Sequence, residues 1–350
     1  MSNLLKHIKL TLKVLNQYRL GYFRLQKKVL GFSESQIIYV AVKLGIAENL
    51  NKAPKTVSEL ATDLQVNESA LECIMNWLVS NGFISRDPVG KYQLTRLGSQ
   101  LLPDTPDSLH GLILSSVELL CPLWSQLLYS IQTGKPGADA TWQMGLYEYL
   151  QQNAQATANF NRWMEETTRD WVIPALELYS FAKVKTFVDV GGGTGTLTAT
   201  LLSKYAHLQG ILFDQDYILK GAPEILAAAQ VETRCQVIAG NFFESVPTDG
   251  DLYLISRVLL NWDDTQATKL LENCRAAMTN TDKLLIADFV VQGKNKMLES
   301  IASLNTLVLS GKLLRTKEQY FALLSQTGFR SSKLITLAGT PLSLIEASPS

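Results

Sequence analysis

The spacing of apolar residues changes character about halfway along the chain. Before Phe181 it is helical, and from Val184 onward short apolar runs alternate with helical stretches. Ile37–Leu50 predicts an apolar helix. Thr56-Val57-Ser58-Glu59 is a capping box that opens a second helix, Val57–Leu64. Asn67 opens a third, Glu68–Asn81, closed by Gly82. Phe83–Ser85 and Tyr92–Leu94, joined through Asp87-Pro88-Val89-Gly90, predict a two-stranded wing, so the first segment reads as a winged helix. Leu101–Phe181 predicts helices and loops: an apolar stretch over Leu109–Ile131, a break at Gly134–Gly137, then helix from Gly145 to Tyr179. Strands are predicted at Val184–Val190, Gly210–Asp214, Cys235–Ala239, Leu252–Ser256 and Lys283–Asp288. Helices fall between and after them at Thr196–Tyr205, Pro223–Gln230, Thr265–Met278 and Thr316–Thr327. This alternation predicts a parallel sheet covered on both faces, and Ser331–Leu337 with Leu342–Ala347 predicts a closing hairpin. Three segments result: 1–104, 105–180 and 181–350.

The chemistry gathers at Phe187-Val188-Asp189-Val190-Gly191-Gly192-Gly193-Thr194-Gly195-Thr196. A buried strand runs into a glycine turn, and a helix N-terminus with unpaired N–H groups follows. Glycine permits positive φ there and lets a ligand approach the backbone. The spacing Gly191-x-Gly193-x-Gly195 is not the G-x-G-x-x-G of dinucleotide sites, and no Lys-Ser/Thr follows as in a phosphate-cradling loop. The next strand ends on Asp214, an acceptor suited to ribose hydroxyls. S-adenosylmethionine (SAM) fits this pattern better than NAD; a tight turn with no ligand is the bland alternative.

Composition narrows the partners. At 350 residues, 46% hydrophobic and 18% charged, the chain predicts a well-cored globular protein. Formal net charge is zero, and the third helix presents Glu68, Glu72, Cys73, Met75 and Trp77, a poor inventory for reading DNA. A dimerisation role for the winged helix is the better expectation. The cysteines (Cys73, Cys121, Cys235, Cys274) lack metal spacing, so no metal is expected. With no spanning apolar run and no visible signal peptide, cytoplasmic is the default expectation. The first thirty-three residues carry seven Lys or Arg and no acid. Their apolar positions, Leu5, Ile8, Leu12, Leu15, Leu20, Phe23 and Leu30, allow a membrane-surface helix or an arm packed on the body or across a dimer. The apolar residues spread round the helix, which favours the arm. Trp142, Met144, Trp163, Met164 and Trp171 are either core or lining for a flat apolar substrate.

From about Ile37 to Ala347 these residues resemble the SAM-dependent small-molecule O-methyltransferases with an N-terminal winged-helix dimerisation domain, the plant caffeate-type enzymes and their bacterial relatives. Phe187–Gly195 is similar to the family's VDVGGGTG, Ala239-Gly240-Asn241-Phe242-Phe243 to its GDMF, Ser256–Asp264 to its SRVLHDWDD, and Gly311–Thr316 to its GKERT segment. The resemblance implies a class I, Rossmann-like methyltransferase domain with a mixed seven-stranded sheet behind a mainly α dimerisation domain. It also implies a homodimer. Asp189, Gly191, Gly193, Gly195, Asp214, Asn241, Phe242, Ser256, Arg257 and Trp262 would border the cofactor. Trp163, Met164, Leu260, Asn261, Asn305 and Leu314 would line the acceptor site.

Two departures bear on mechanism. The family's proton-abstracting histidine is Leu260 here, with Asn261 for the Asp after it, and one of its two orienting acids is Leu314. Asp288 keeps the other acid, as in the family's tetrapyrrole-ring C-methyltransferases, which also lack the histidine. If any residue acts as base it is Asp288, its pKa raised by apolar neighbours; otherwise it caps local N–H groups. His110, on an apolar helix, reads as a core residue. The expectation is methyl transfer to a bulky apolar or aromatic small molecule in secondary metabolism by proximity and desolvation, with C-methylation within reach. The alternatives are other chemistry on the same SAM fold (hydroxylation, decarboxylation, a pericyclic step) and a winged-helix regulator.

Overall fold

The computed structural model describes residues 21–340 and 342–350, and at Ser331 the backbone alone. The basic stretch through Leu20 lies outside them; Phe23 and Leu30 lie within and are exposed. Two compact units meet in sequence at Val117 and Glu118.

After helical residues 21–29, the first unit holds Gly31–Lys43 and Ile46–Lys52, two helices where the apolar pattern predicts one. Gly45 takes φ 72° between them and starts the second. Val57–Leu64 carries the expected capping box, with Thr56 and Glu59 each bonding the other's backbone N–H. Asn67 caps Glu68–Ser80. The wing pairs β1 (Ile84–Arg86) antiparallel with β2 (Tyr92–Leu94). Leu60, Leu71, Met75, Leu78, Ile84 and Tyr92 close its core.

Beyond the wing the predicted long helices are segmented. Leu109–Ile131 resolves into His110–Ser115, a π turn at Ser116–Leu120, Cys121–Trp124 and Leu127–Thr133. Gly145–Tyr179 resolves into Leu146–Gln152, Ala154–Thr167, a π turn at Thr168–Val172 and Ile173–Leu176. Each π turn ends just before a proline, Pro122 or Pro174, whose missing N–H breaks the regular hydrogen-bond ladder.

The sheet has the order β5-β4-β3-β6-β7-β9-β8. Its strands are β3 (Thr186–Val190), β4 (Gln209–Asp214), β5 (Cys235–Ala239), β6 (Leu252–Ser256), β7 (Lys283–Phe289), β8 (Phe329–Thr336) and β9 (Leu342–Pro349). The first five are parallel, and β9 runs antiparallel to both β7 and β8. The sheet is therefore mixed, and its parallel strands β4, β3, β6 and β7 are buried by two large apolar clusters, while the edge strand β5 is partly exposed. A helix without a place in the sequence reading, Lys296–Ser310, follows β7. Strand order reverses between β3 and β6, which opens a crevice beyond their carboxyl ends.

Candidate functional site

The crevice floor is the glycine turn. Gly191, Gly193 and Gly195 take φ of 74°, 63° and 85°. A side chain at Gly191 or Gly192 would collide with Val258 or with Leu212 and Asp189, whereas Gly193 has open space where its Cβ would be. Asp214, at the end of β4, accepts the Gly193 N–H at 2.9 Å and the Gln215 N–H at 2.7 Å. Each oxygen keeps a second lone pair for ribose hydroxyls. Burial pushes the Asp214 carboxyl up, against the pull of those two N–H groups.

Three buried polar atoms without a hydrogen-bond partner gather at the ends of the adjacent strands β3 and β6: Asp189 Oδ1, Ser256 Oγ and Arg257 Nε. Orphan polar atoms are costly to bury and mark a place where a ligand completes the bonding. Asp189 takes one bond, from Thr198 Oγ1 at 2.7 Å, and desolvation pushes its carboxyl up to about 7. Arg257 adopts φ 56°, a left-handed conformation that costs a non-glycine residue about 1 kcal/mol or more. Its guanidinium is lowered by burial to about 10 and donates to the Met164 carbonyl at 3.2 Å and to Thr168 Oγ1. Residues meant for cofactor and for acceptor, Arg257 and Met164, are thus in direct contact.

The crevice wall is aromatic. Trp262 packs edge-on against Phe243 at 4.8 Å and Phe242 at 6.1 Å, and Phe242 Cε1 would stand 3.7 Å from a Cβ added at Gly191. Tyr147 lies near-parallel to Trp262 at 6.3 Å. The residue is 37% exposed overall, while burial of its phenol, with Asp214 and Tyr217 nearby, pushes that group up to about 12. Tyr147 was missed from sequence; its only signal was its place among the large side chains after Gly145. Asn241 is more committed than expected: its Oδ1 accepts the Phe243 N–H at 3.0 Å and its Nδ2 bonds Glu244 at 2.9 Å.

On the acceptor side, Leu260 and Asn261 lie on a short 3-10 turn, Leu259–Asn261, and Asn261 Nδ2 reaches back to the Arg257 carbonyl at 3.1 Å. Leu314 is buried, and its N–H bonds Ser303 Oγ at 3.2 Å. Asn305 Oδ1 accepts the Trp124 indole N–H at 3.1 Å, and Trp163 packs edge-on against Phe160. Asp288 is fully buried; Oδ1 accepts the Phe289 N–H at 2.9 Å and Oδ2 the Leu260 N–H at 3.1 Å. Each oxygen thus caps one backbone N–H and keeps a second lone pair. Desolvation still pushes its carboxyl up to about 6. His207 precedes β4, at the end of the sheet opposite the crevice, with its Nε2 on the Phe181 carbonyl at 3.2 Å. No group of three or more His, Cys, Asp or Glu is placed to hold a metal among the described residues. No single helix there is long and apolar enough to cross a membrane, although a bent pair, 110–124 with 127–133, passes on length and composition.

A glycine turn at the switch point of such a sheet, a carboxylate closing the second strand and an aromatic wall define a class I methyltransferase site. The family model described as the O-methyltransferase domain matches residues 124–330, and the O-methyltransferase dimerisation domain matches 27–104. A phenazine O-methyltransferase from Lysobacter antibioticus is 32% identical over 326 residues, spanning 93% of this chain and 95% of that protein. The solved structure of LaPhzM superposes with a TM-score of 0.87 at 33% identity, over 93% of this chain and 98% of the other. A neocarzinostatin-pathway O-methyltransferase, solved with SAM and 2-hydroxy-5-methyl naphthoic acid, gives 0.75 at 25% identity, over 91% and 96%. The chain belongs to the O-methyltransferase family with a dimerisation domain. It is a SAM-dependent methyltransferase of the kind that acts on small molecules in secondary metabolism.

Proposed function

We propose that this enzyme methylates a flat, bulky aromatic small molecule whose accepting atom is already nucleophilic: an ionised phenol or enol, an amine, or an electron-rich ring carbon. The observation that carries this reading is the apolar pair Leu260 and Leu314 where a base and its orienting acid would stand, with Asp288 turned to backbone N–H groups. A leucine takes no proton. The sulfonium of bound SAM supplies an electrophilic methyl group, and the chain's part is to hold the acceptor in line with it and keep water out. In this reading Gly191, Gly193 and Gly195 give the methionine part its approach, Asp214 takes the ribose hydroxyls, and Phe242, Trp262 and Tyr147 flank the adenine. Arg257, its Nε unspent, faces the amino-acid end together with Asp189 and Ser256. Trp163, Met164, Asn261 and Asn305 complete the acceptor wall. The relatives named for phenazine and bound to a naphthoic acid support a flat aromatic acceptor. We further propose a homodimer through the first unit, on the strength of the dimerisation-domain match, and a cytoplasmic location.

Transfer of label from methyl-labelled SAM to a panel of hydroxylated polycyclic aromatics, anilines and electron-rich arenes tests the proposal. Acidic phenols, anilines or ring carbons are expected to be methylated in preference to neutral alkyl-substituted phenols of high pKa. Preference for the high-pKa phenols would show that the enzyme supplies a base. Conversion of an acceptor to an unlabelled product with SAM left unconsumed would favour other chemistry on the same fold.

A further inference from the structure

The turn that carries Leu260 and Trp262 is gripped by a side chain to which the sequence reading gives no role. Arg315 is 8% exposed. Its Nη1 donates to the Leu259 carbonyl at 2.7 Å, its Nη2 to the Trp262 carbonyl at 2.7 Å, and its Nε to the exposed Asp264 carboxylate at 2.9 Å. The guanidinium also lies 5.9 Å from the centre of the Tyr320 ring. From the opposite charge, Asp288 holds the N–H of Leu260 between those two carbonyls. Arg315 itself is fixed from behind, because its own carbonyl accepts the Val291 N–H at 3.0 Å. A planar fork can span two carbonyls three residues apart; an ammonium group cannot hold both in that geometry.

Trp262 forms the aromatic wall beside the glycine turn, and Leu260 stands two residues before it on the same turn. We propose that Arg315 is a positioning residue: by fixing the carbonyls of Leu259 and Trp262 it sets the indole against the cofactor crevice. In doing so it ties cofactor binding to the placement of Leu260. Arg315 touches neither cofactor nor acceptor in this arrangement and acts through the turn. The inference rests on Trp262 bordering the cofactor, as in the proposed function.

Calorimetric titration of S-adenosylhomocysteine (SAH) into the wild type, R315K, W262A and the double variant tests it. R315K is expected to weaken SAH binding about tenfold, and the double variant to bind no worse than W262A alone, since coupled residues are not additive. L323A, a buried truncation on the helix Lys317–Gln326, controls for lost stability and is expected to leave the SAH affinity within about twofold. Wild-type affinity in R315K, or additive losses in the double variant, would overturn the inference. If R315K does not fold, the Arg315 Nε–H resonance of the wild type decides: a shift on SAH addition supports coupling and an unmoved signal refutes it. Failure of the wild type to bind SAH would instead sink the cofactor reading itself.

Discussion

Leu260 presents only carbon where a proton would have to be received, and Asp288 behind it is fully buried, each of its oxygens accepting one backbone N–H. In the proposed reading, deprotonation is left to the acceptor's own acidity, and the residues of the crevice act by placement. Gly193 shows how such placement can be separated from folding. Its Cβ position is open and its φ of 63° is one that alanine reaches at about 1–2 kcal/mol. Gly193→Ala is expected to fold cooperatively with a modest fall in Tm and yet lose SAH affinity by at least about tenfold, read by calorimetry. Asp189 makes a different prediction. Its carboxyl is raised in the fold, so the native state holds a proton that the unfolded chain releases near its ordinary value. Its contribution to stability is thus present at acid pH and is lost as pH rises through about 7. In the ligand-free protein, Asp189→Asn should raise Tm more at pH 8 than at pH 5; an equal shift at both would mean Asp189 does not titrate as described.

Among the elements, those with local signals were legible. The capping box at Thr56, the Asn67 cap, the wing and all seven strands of the large sheet follow from turn residues and apolar runs. The second capping box, Thr316 with Gln319, fixes the helix after Arg315. Thr316→Ala is expected to cost about 1 kcal/mol in denaturant unfolding, with SAH affinity unchanged if the cap serves stability alone. Helix Lys296–Ser310 was not legible, because Ser303, Asn305 and Thr306 interrupt its apolar pattern. Those polar residues have partners across the fold: Asn305 meets Trp124, and Ser303 holds Leu314. The segmentation around Pro122 and Pro174 was hidden for another reason. Apolar periodicity continues through a π turn, and only the missing proline N–H reports the break. Within the site, motif spacing located the glycine turn and Asp214, but long-range partners such as Arg257 with Met164 and Arg315 with Trp262 leave no trace in spacing.

For the whole molecule, the match of residues 27–104 to a dimerisation domain and the exposed apolar side chains Tyr22, Phe23, Leu25, Val29, Leu30 and Phe32 point the same way. Sedimentation or light scattering is expected to give twice the 38.8 kDa chain mass; a monomer at micromolar concentration would contradict the dimer. The central claim, methyl transfer without an enzyme base, is tested most directly by the pH dependence of kcat/KM. The comparison needs two accepted phenols of different acidity, in the wild type and in Asp288→Asn. The account predicts that the rate rises with ionisation of each phenol, that the limb moves with the phenol's pKa, and that Asp288→Asn leaves its position unchanged. A limb near pH 6 that stays fixed for both phenols and disappears in Asp288→Asn would contradict it, and would make Asp288 the base.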